Sequence, residues 1–317
     1  MPRYENFDDA INCKEATTRA TTARSTIFCH GENLDGGTMF QGKRSVLSLA
    51  VFLLGIFSGS LHAALMIKVV GSTTVLPVVA EAAKQYRLMH PELRLTVSGG
   101  GSGVGVASIE RGSVDIGMVS RPLSRFEIER LGNTIEVIAV ARDAVAIAVS
   151  KAVFESGVQR LSLAQIAAVY RGEIRNWREL GGMDAAILVI DKEASRGTRH
   201  VFASVVLGNA RARAPGATII TGSNNEEQAV ISQSDQAIGM LSNAWLNDRV
   251  RAIAVGEGEA ALLPTAENVA QGRYLIQRDL NILVPKNSSA AVMDFVGFLR
   301  SEKGQSIAEM VGFHPVR

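Results

Sequence analysis

The stretch from Ser98 to Gly105, SGGGSGVG, sets glycines and two hydroxyls together in a way that could wrap backbone N–H groups around an anion. It fits none of the nucleotide or nucleophile loops. No Gly-Lys-Ser/Thr phosphate loop occurs, a dinucleotide fingerprint through Gly101 would need glycine at Val106, and a nucleophile elbow on Ser102 would need glycine at Val104. A flexible linker and an oxyanion cradle remain. The neighbours favour the cradle, because a strand pattern runs into the stretch and a helix pattern leaves it. Two further stretches share this composition: Gly71-Ser72-Thr73-Thr74, and Ala194-Ser195-Arg196-Gly197-Thr198-Arg199. A helix N-terminus offers unpaired N–H groups and a partial positive charge, glycine lets a ligand approach the backbone, and Ser/Thr add hydroxyl donors. Simple N-capping explains any one such junction. Three in one chain, each at the carboxyl end of a strand where open α/β sheets bind ligands, point to a shared oxyanion site.

Other chemistry finds little support. His90, His200 and His314 show no metal-ligand spacing, and Asp115 at a strand start reads as a loop pin rather than a general base. No enzyme activity, cofactor or metal is expected. The formal net charge of +2, with scattered basic residues, argues against nucleic acid as a partner.

The elements that must position these junctions alternate. Strand patterns cover 65–71, 93–98, 114–120, 187–191, 237–241 and 280–284, and the apolar runs IEVIAV and DAVAIAVS read as two strands covered on both faces. Helix patterns begin after Val75, after the glycine run, and near Thr198 and Asn225, with two more at about 290–300 and 302–311. Ser124-x-x-Glu127 and Ser162-x-x-Gln165 have the form of capping boxes. This is an α/β pattern long enough for two lobes.

The N-terminus is of another kind. Residues 1–38 have no core pattern and read as a mis-annotated extension. Met39 opens a basic stretch, a short apolar run and a small-residue exit, the three parts of a secretory signal peptide over 39–63, cut after Ala63 or else Ala64. Cys13 and Cys29 both precede that point, so the exported chain has no cysteine and cannot carry a lipid anchor there.

In order along the chain, VVGSTTVLPVVAEAA, SGGGSGVGVASIERGSVDIGMVSRPLS, LSLAQIAAVYRGEIRNWRELGG, DKEASRGTRHVF, QAIGML and PTAENVAQGRYLIQRDLNILV resemble the periplasmic phosphate-binding proteins of Pst-type ABC importers, the PstS family. The resemblance implies a two-lobed type II periplasmic-binding-protein fold, with two open doubly wound sheets joined by a two-strand hinge. Lobe 1 would be 64–146 with 272–317, and lobe 2 would be 147–271. It implies a periplasmic monomer that captures inorganic phosphate between its lobes and delivers it to the importer's membrane subunits. A binder or sensor of another tetrahedral oxyanion is the alternative, and a secreted phosphohydrolase a further one. The candidate binding set is Ser72, Thr73, Thr74, Gly101, Ser102, Gly103, Arg121, Lys192, Glu193, Ser195, Arg196, Gly197 and Thr198. YRGEIRNW (170–177) is read as a structural surface signature.

Two departures from the family bear on the ligand. Members often carry Arg-x-x-x-Ser-Gly-Thr in the third loop, whereas this chain has Lys192, then Arg196-Gly197-Thr198. Either the charge moves from 192 to 196 or the ligand differs from phosphate. Some members also place an aspartate, as acceptor for the phosphate proton, where this chain has Arg121. The nearest carboxylate in a ligand loop is then Glu193, read either as that acceptor or as a solvated first-turn residue.

Overall fold

The computed structural model describes residues 66–316, so the stretches read as an extension and a signal peptide, with the expected cleavage site and both cysteines, lie outside the described residues. Strand β1 (Met66–Gly71) leads through helix α1 (Leu76–Met89) to β2 (Arg94–Ser98), then through α2 (Ser102–Glu110) to β3 (Ile116–Val119). Both pairings with β1 are parallel. Helix α1 begins with Pro77 in its first turn, turns Val78, Val79, Ala82, Ala83 and Tyr86 inward, and stops at His90 before Pro91. After α3 (Arg125–Leu131) comes β4 (Ile135–Ser150).

β4 corrects the two-strand reading of 135–150. It is one 16-residue strand, and the polar pair Arg142-Asp143 does not interrupt it. The reason lies on β11 (Gln277–Pro285), which runs antiparallel beside the first part of β4. Arg142 pairs with Asp279 at 3.1 Å, and Asp143 takes Arg278 Nη2 at 2.8 Å. A buried charge with a cross-strand partner can stay in a strand.

The chain between those two strands forms the second half. It runs through α4 (Lys151–Glu155), β5 (Arg160–Leu161), α5 (Leu163–Arg171), β6 (Leu188–Lys192), α6 (Gly197–Val206), β7 (Ile219–Thr221), α7 (Asn224–Gln233), β8 (Ala237–Ser242), β9 (Val250–Ala252), β10 (Ala254–Val255) and α8 (Ala266–Ala270). Helices α9 (Ala290–Arg300) and α10 (Glu302–Met310) return to the first half, where α9 and α10 bury Phe295, Leu299 and Ile307 against α1 and the sheet. The strand order is β2-β1-β3-β11-β4-β8-β6-β7, with β9 also on β4. β4 therefore belongs to both halves: residues 135–144 pair with β11, and 145–150 pair with β8 and β9. The hydrophobic core divides at the same strand. Of its two largest clusters, one gathers Val69, Val79, Ile282 and Phe295, and the other Ile147, Tyr170, Trp177 and Phe202.

Both capping boxes form. YRGEIRNW is structural, with its exposed charges on the surface and two anchors beneath: Arg171, Glu173 and Arg175 are exposed, while Tyr170 and Trp177 are fully buried, bonding the carbonyls of Ile190 (3.0 Å) and Gln236 (2.9 Å). Asp115 accepts the Lys68 amide at 2.8 Å and so pins its loop to β1.

Candidate functional site

The carboxyl ends of β1, β3 and β6, with the loops after β2 and β7, converge on one small cavity with a volume of about 10 Å³. Ser72, Thr73, Thr74, Gly101 and Ser120 line it from the first half. Lys192, Arg196, Gly197, Thr198, Gly222, Ser223 and Asn224 line it from the second.

Local chain chemistry sets each wall. Ser72 Oγ accepts the amides of Thr74 (3.2 Å) and Val75 (3.4 Å) and donates to Ser120 Oγ (2.8 Å), so the turn into α1 is tied to the end of β3. Gly101 is the N-cap of α2 with φ +96°, a left-handed conformation that suits glycine. The N-terminus of α6 approaches the first half so closely that a Cβ on Gly197 would sit 2.3 Å from Ser120 Oγ. Thr198 brings its hydroxyl 3.5 Å from that of Thr74 across the cavity, and Asn224 Nδ2 donates to Thr74 Oγ1 at 3.2 Å. Thr74 also accepts from Arg278 Nη2 at 3.4 Å.

Three cations stand at or behind these walls, and each faces a carboxylate of the chain. Lys192 and Glu227 form a fully buried ion pair, and Lys192 Nζ also donates to the Ser223 carbonyl. Burial pushes the Lys192 ammonium down from its usual range and the Glu227 carboxyl up, each opposed by its partner. Arg278 lies against Asp143, whose carboxyl burial likewise raises. Arg196 Nε donates to Glu193 at 2.7 Å, while its guanidinium spans the mouth of the cavity between Gly101 and Gly222.

Among the residues expected from sequence, Ser72, Thr73, Thr74, Gly101, Lys192, Arg196, Gly197 and Thr198 are brought together on the lining. In the third loop Lys192 and Arg196 both reach the cavity, each paired with a carboxylate of the chain. Five expected residues do not line it. Ser102 is fully buried just behind, its Oγ accepting the Ser120 amide at 3.0 Å. Gly103 N donates to the Ser195 carbonyl at 3.2 Å, so this pair latches the two halves together instead of facing a ligand. Glu193 is turned to Arg196. Arg121 is the largest correction: its guanidinium makes a two-point bond to Glu127, at 2.8 and 2.7 Å, and a third to the Pro122 carbonyl at 3.0 Å. Glu127 also accepts from Ser124, and these bonds outweigh burial and hold its carboxyl at about 2. Arg121 secures the α3 cap.

Sequence reasoning missed Ser120, Gly222, Ser223 and Asn224 on the lining, and Glu227, Asp143 and Arg278 behind it. The Gly222-Ser223-Asn224 junction has the same composition as the other three and opens α7, so the same signal could have found it. No group of three or more metal-ligating side chains occurs among the described residues.

Two α/β halves sharing β4, with helix N-termini converging on a cavity between them, describe a two-lobed solute-binding protein. Residues 16–303 match the PBP superfamily domain, and the chain belongs to that superfamily. Within it, the chain belongs to the PstS phosphate-binding protein family, being 30% identical over 250 residues to phosphate-binding protein PstS of Bacillus subtilis, a span of 78% of this chain and 79% of that protein. PstS of Borreliella burgdorferi is 27% identical over 256 residues, 78% of this chain and 89% of that one. A substrate-binding protein of Clostridium perfringens solved with bound phosphate superposes with a TM-score of 0.71 at 28% identity, covering 80% of this chain and all (100%) of that one. An ABC-type phosphate transport receptor from Vibrio cholerae gives 0.66 at 30% identity, covering 79% and 100%. The fold is the type II periplasmic-binding-protein fold.

Proposed function

We propose that this chain is an extracytoplasmic solute-binding protein that captures inorganic phosphate between its lobes and passes it to the membrane subunits of an ABC importer. It acts as a monomer, without catalysis, after export by the segment 39–63. Its lobes are 64–146 with 272–317, and 147–271. The observation that carries this reading is the cavity itself, where hydroxyls, the α6 N-terminus and the cations Lys192 and Arg196 converge from both halves. Such donors suit a tetrahedral oxyanion, and enclosure strengthens each hydrogen bond to it. The relatives named for phosphate support the choice of anion. Titration calorimetry on residues 64–317 tests it: one phosphate per chain is expected, with no release of phosphate from phosphate esters. Absence of binding, or turnover of an ester, would overturn the proposal.

One observation favours a broader oxyanion range as a second reading. No carboxylate lines the cavity among the described residues, so phosphate finds no acidic acceptor for its proton there. Competition by arsenate and sulfate in the same titration separates the readings.

A further inference from the structure

Asn224 is 2% exposed and lies on the cavity lining at the start of α7. Its amide nitrogen donates to Thr74 Oγ1, which also receives Arg278, so Thr74 presents its oxygen to two donors. The other end of the amide, Oδ1, is buried and has no hydrogen-bond partner in the protein. A buried carbonyl left in this way is costly unless something donates to it.

The rest of the lining is richer in donors. Lys192 and Arg196 only donate, and a hydroxyl facing an oxyanion does best by donating. The carboxylates near the site are already engaged: Glu227 with Lys192, Asp143 with Arg278, Glu193 with Arg196, and Glu226 with the Gly222 amide. We infer that Asn224 Oδ1 is the acceptor for the P–OH proton of a bound monohydrogen oxyanion, and that this neutral amide, in place of a carboxylate, sets the preference for protonated anions. The inference rests on the phosphate reading above. A fully ionised anion such as sulfate would set one of its oxygens against Oδ1 and leave the amide unpaired, and a site built around a hydrogen bond rejects an analogue that cannot make it. Because the acceptor is uncharged, the rejection carries no charge repulsion.

The test compares phosphate with monofluorophosphate by titration calorimetry at mildly alkaline pH, where both are dianions of the same shape and fluorine replaces the P–OH. Wild type is expected to prefer phosphate by at least about tenfold. Asn224→Leu keeps the shape without the acceptor, and should bring the two anions within about threefold by weakening phosphate. Asn224→Asp keeps an acceptor and should retain the preference, which supplies the decisive variant if the leucine form does not fold. A wild type that binds both anions alike, an Asn224→Leu variant with the wild-type ratio, or an Asn224→Asp variant that loses the preference would each overturn the inference while leaving phosphate capture standing. A wild type that binds neither anion would overturn both.

Discussion

Thr74 shows how one hydroxyl can hold a binding site together. Its oxygen lies within hydrogen-bond reach of Arg278, Asn224 and Thr198, groups that come from β11 beside the first part of β4 and from two helix starts of the second lobe. Thr74→Val preserves the shape but strands the Asn224 and Arg278 donors, at a cost of about 1–3 kcal/mol. Phosphate affinity should fall by at least about fivefold in calorimetry, and an unchanged affinity would show that Thr74 only packs. Arg121 makes the opposite case. Its guanidinium is occupied by Glu127, so Arg121→Ala should keep phosphate affinity within about threefold of wild type while lowering the melting temperature, since it leaves a half-buried carboxylate short of its partner. A large loss of affinity would return Arg121 to the site.

At the scale of elements, that same pair makes the α3 cap sensitive to acid. The Glu127 carboxyl is held at about 2, below its ordinary 4.5. A depressed folded value gives stability that is full above the ordinary value and is lost as pH falls towards the folded one. Denaturant titrations of wild type and Glu127→Gln should therefore differ most above pH 4.5 and converge as the pH approaches 2. A gap that does not narrow would mean that the cap is not held by charge. The junctions were legible in the sequence because their composition is local: glycine, a hydroxyl residue, then helix periodicity. The fourth escaped because its strand, Ile219–Thr221, is only three residues long and shows no alternation to read. The Asp143–Arg278 pair was invisible for a different reason. Its partners are 135 residues apart and meet only when β11 folds back along β4. Arg121 was misplaced because a side chain's choice between a ligand and a neighbouring cap residue is settled by packing, which residue type does not encode.

For the whole molecule, the geometry implies motion. The cavity is walled by both lobes, and the Gly103–Ser195 latch and the Thr74–Asn224 bond cross between them, so an anion can enter only if these contacts open. The sequence showed an α/β pattern long enough for two lobes, whose arrangement came from the family resemblance. It did not show that β4 runs unbroken through both, making bending around Ala144–Val145 the natural way for them to part. Small-angle scattering should give a smaller radius of gyration with saturating phosphate than without, and identical curves would rule out hinge closure.

The central claim is that the anion sits in this cavity and is held from both sides. A crystal structure of residues 64–317 grown with phosphate tests it most directly. We expect one tetrahedral anion per chain, within hydrogen-bond distance of Thr74, Thr198, Lys192 and Arg196, with Asn224 Oδ1 facing one of its oxygens. An anion bound elsewhere, or a cavity left without one at saturating phosphate, would contradict the account.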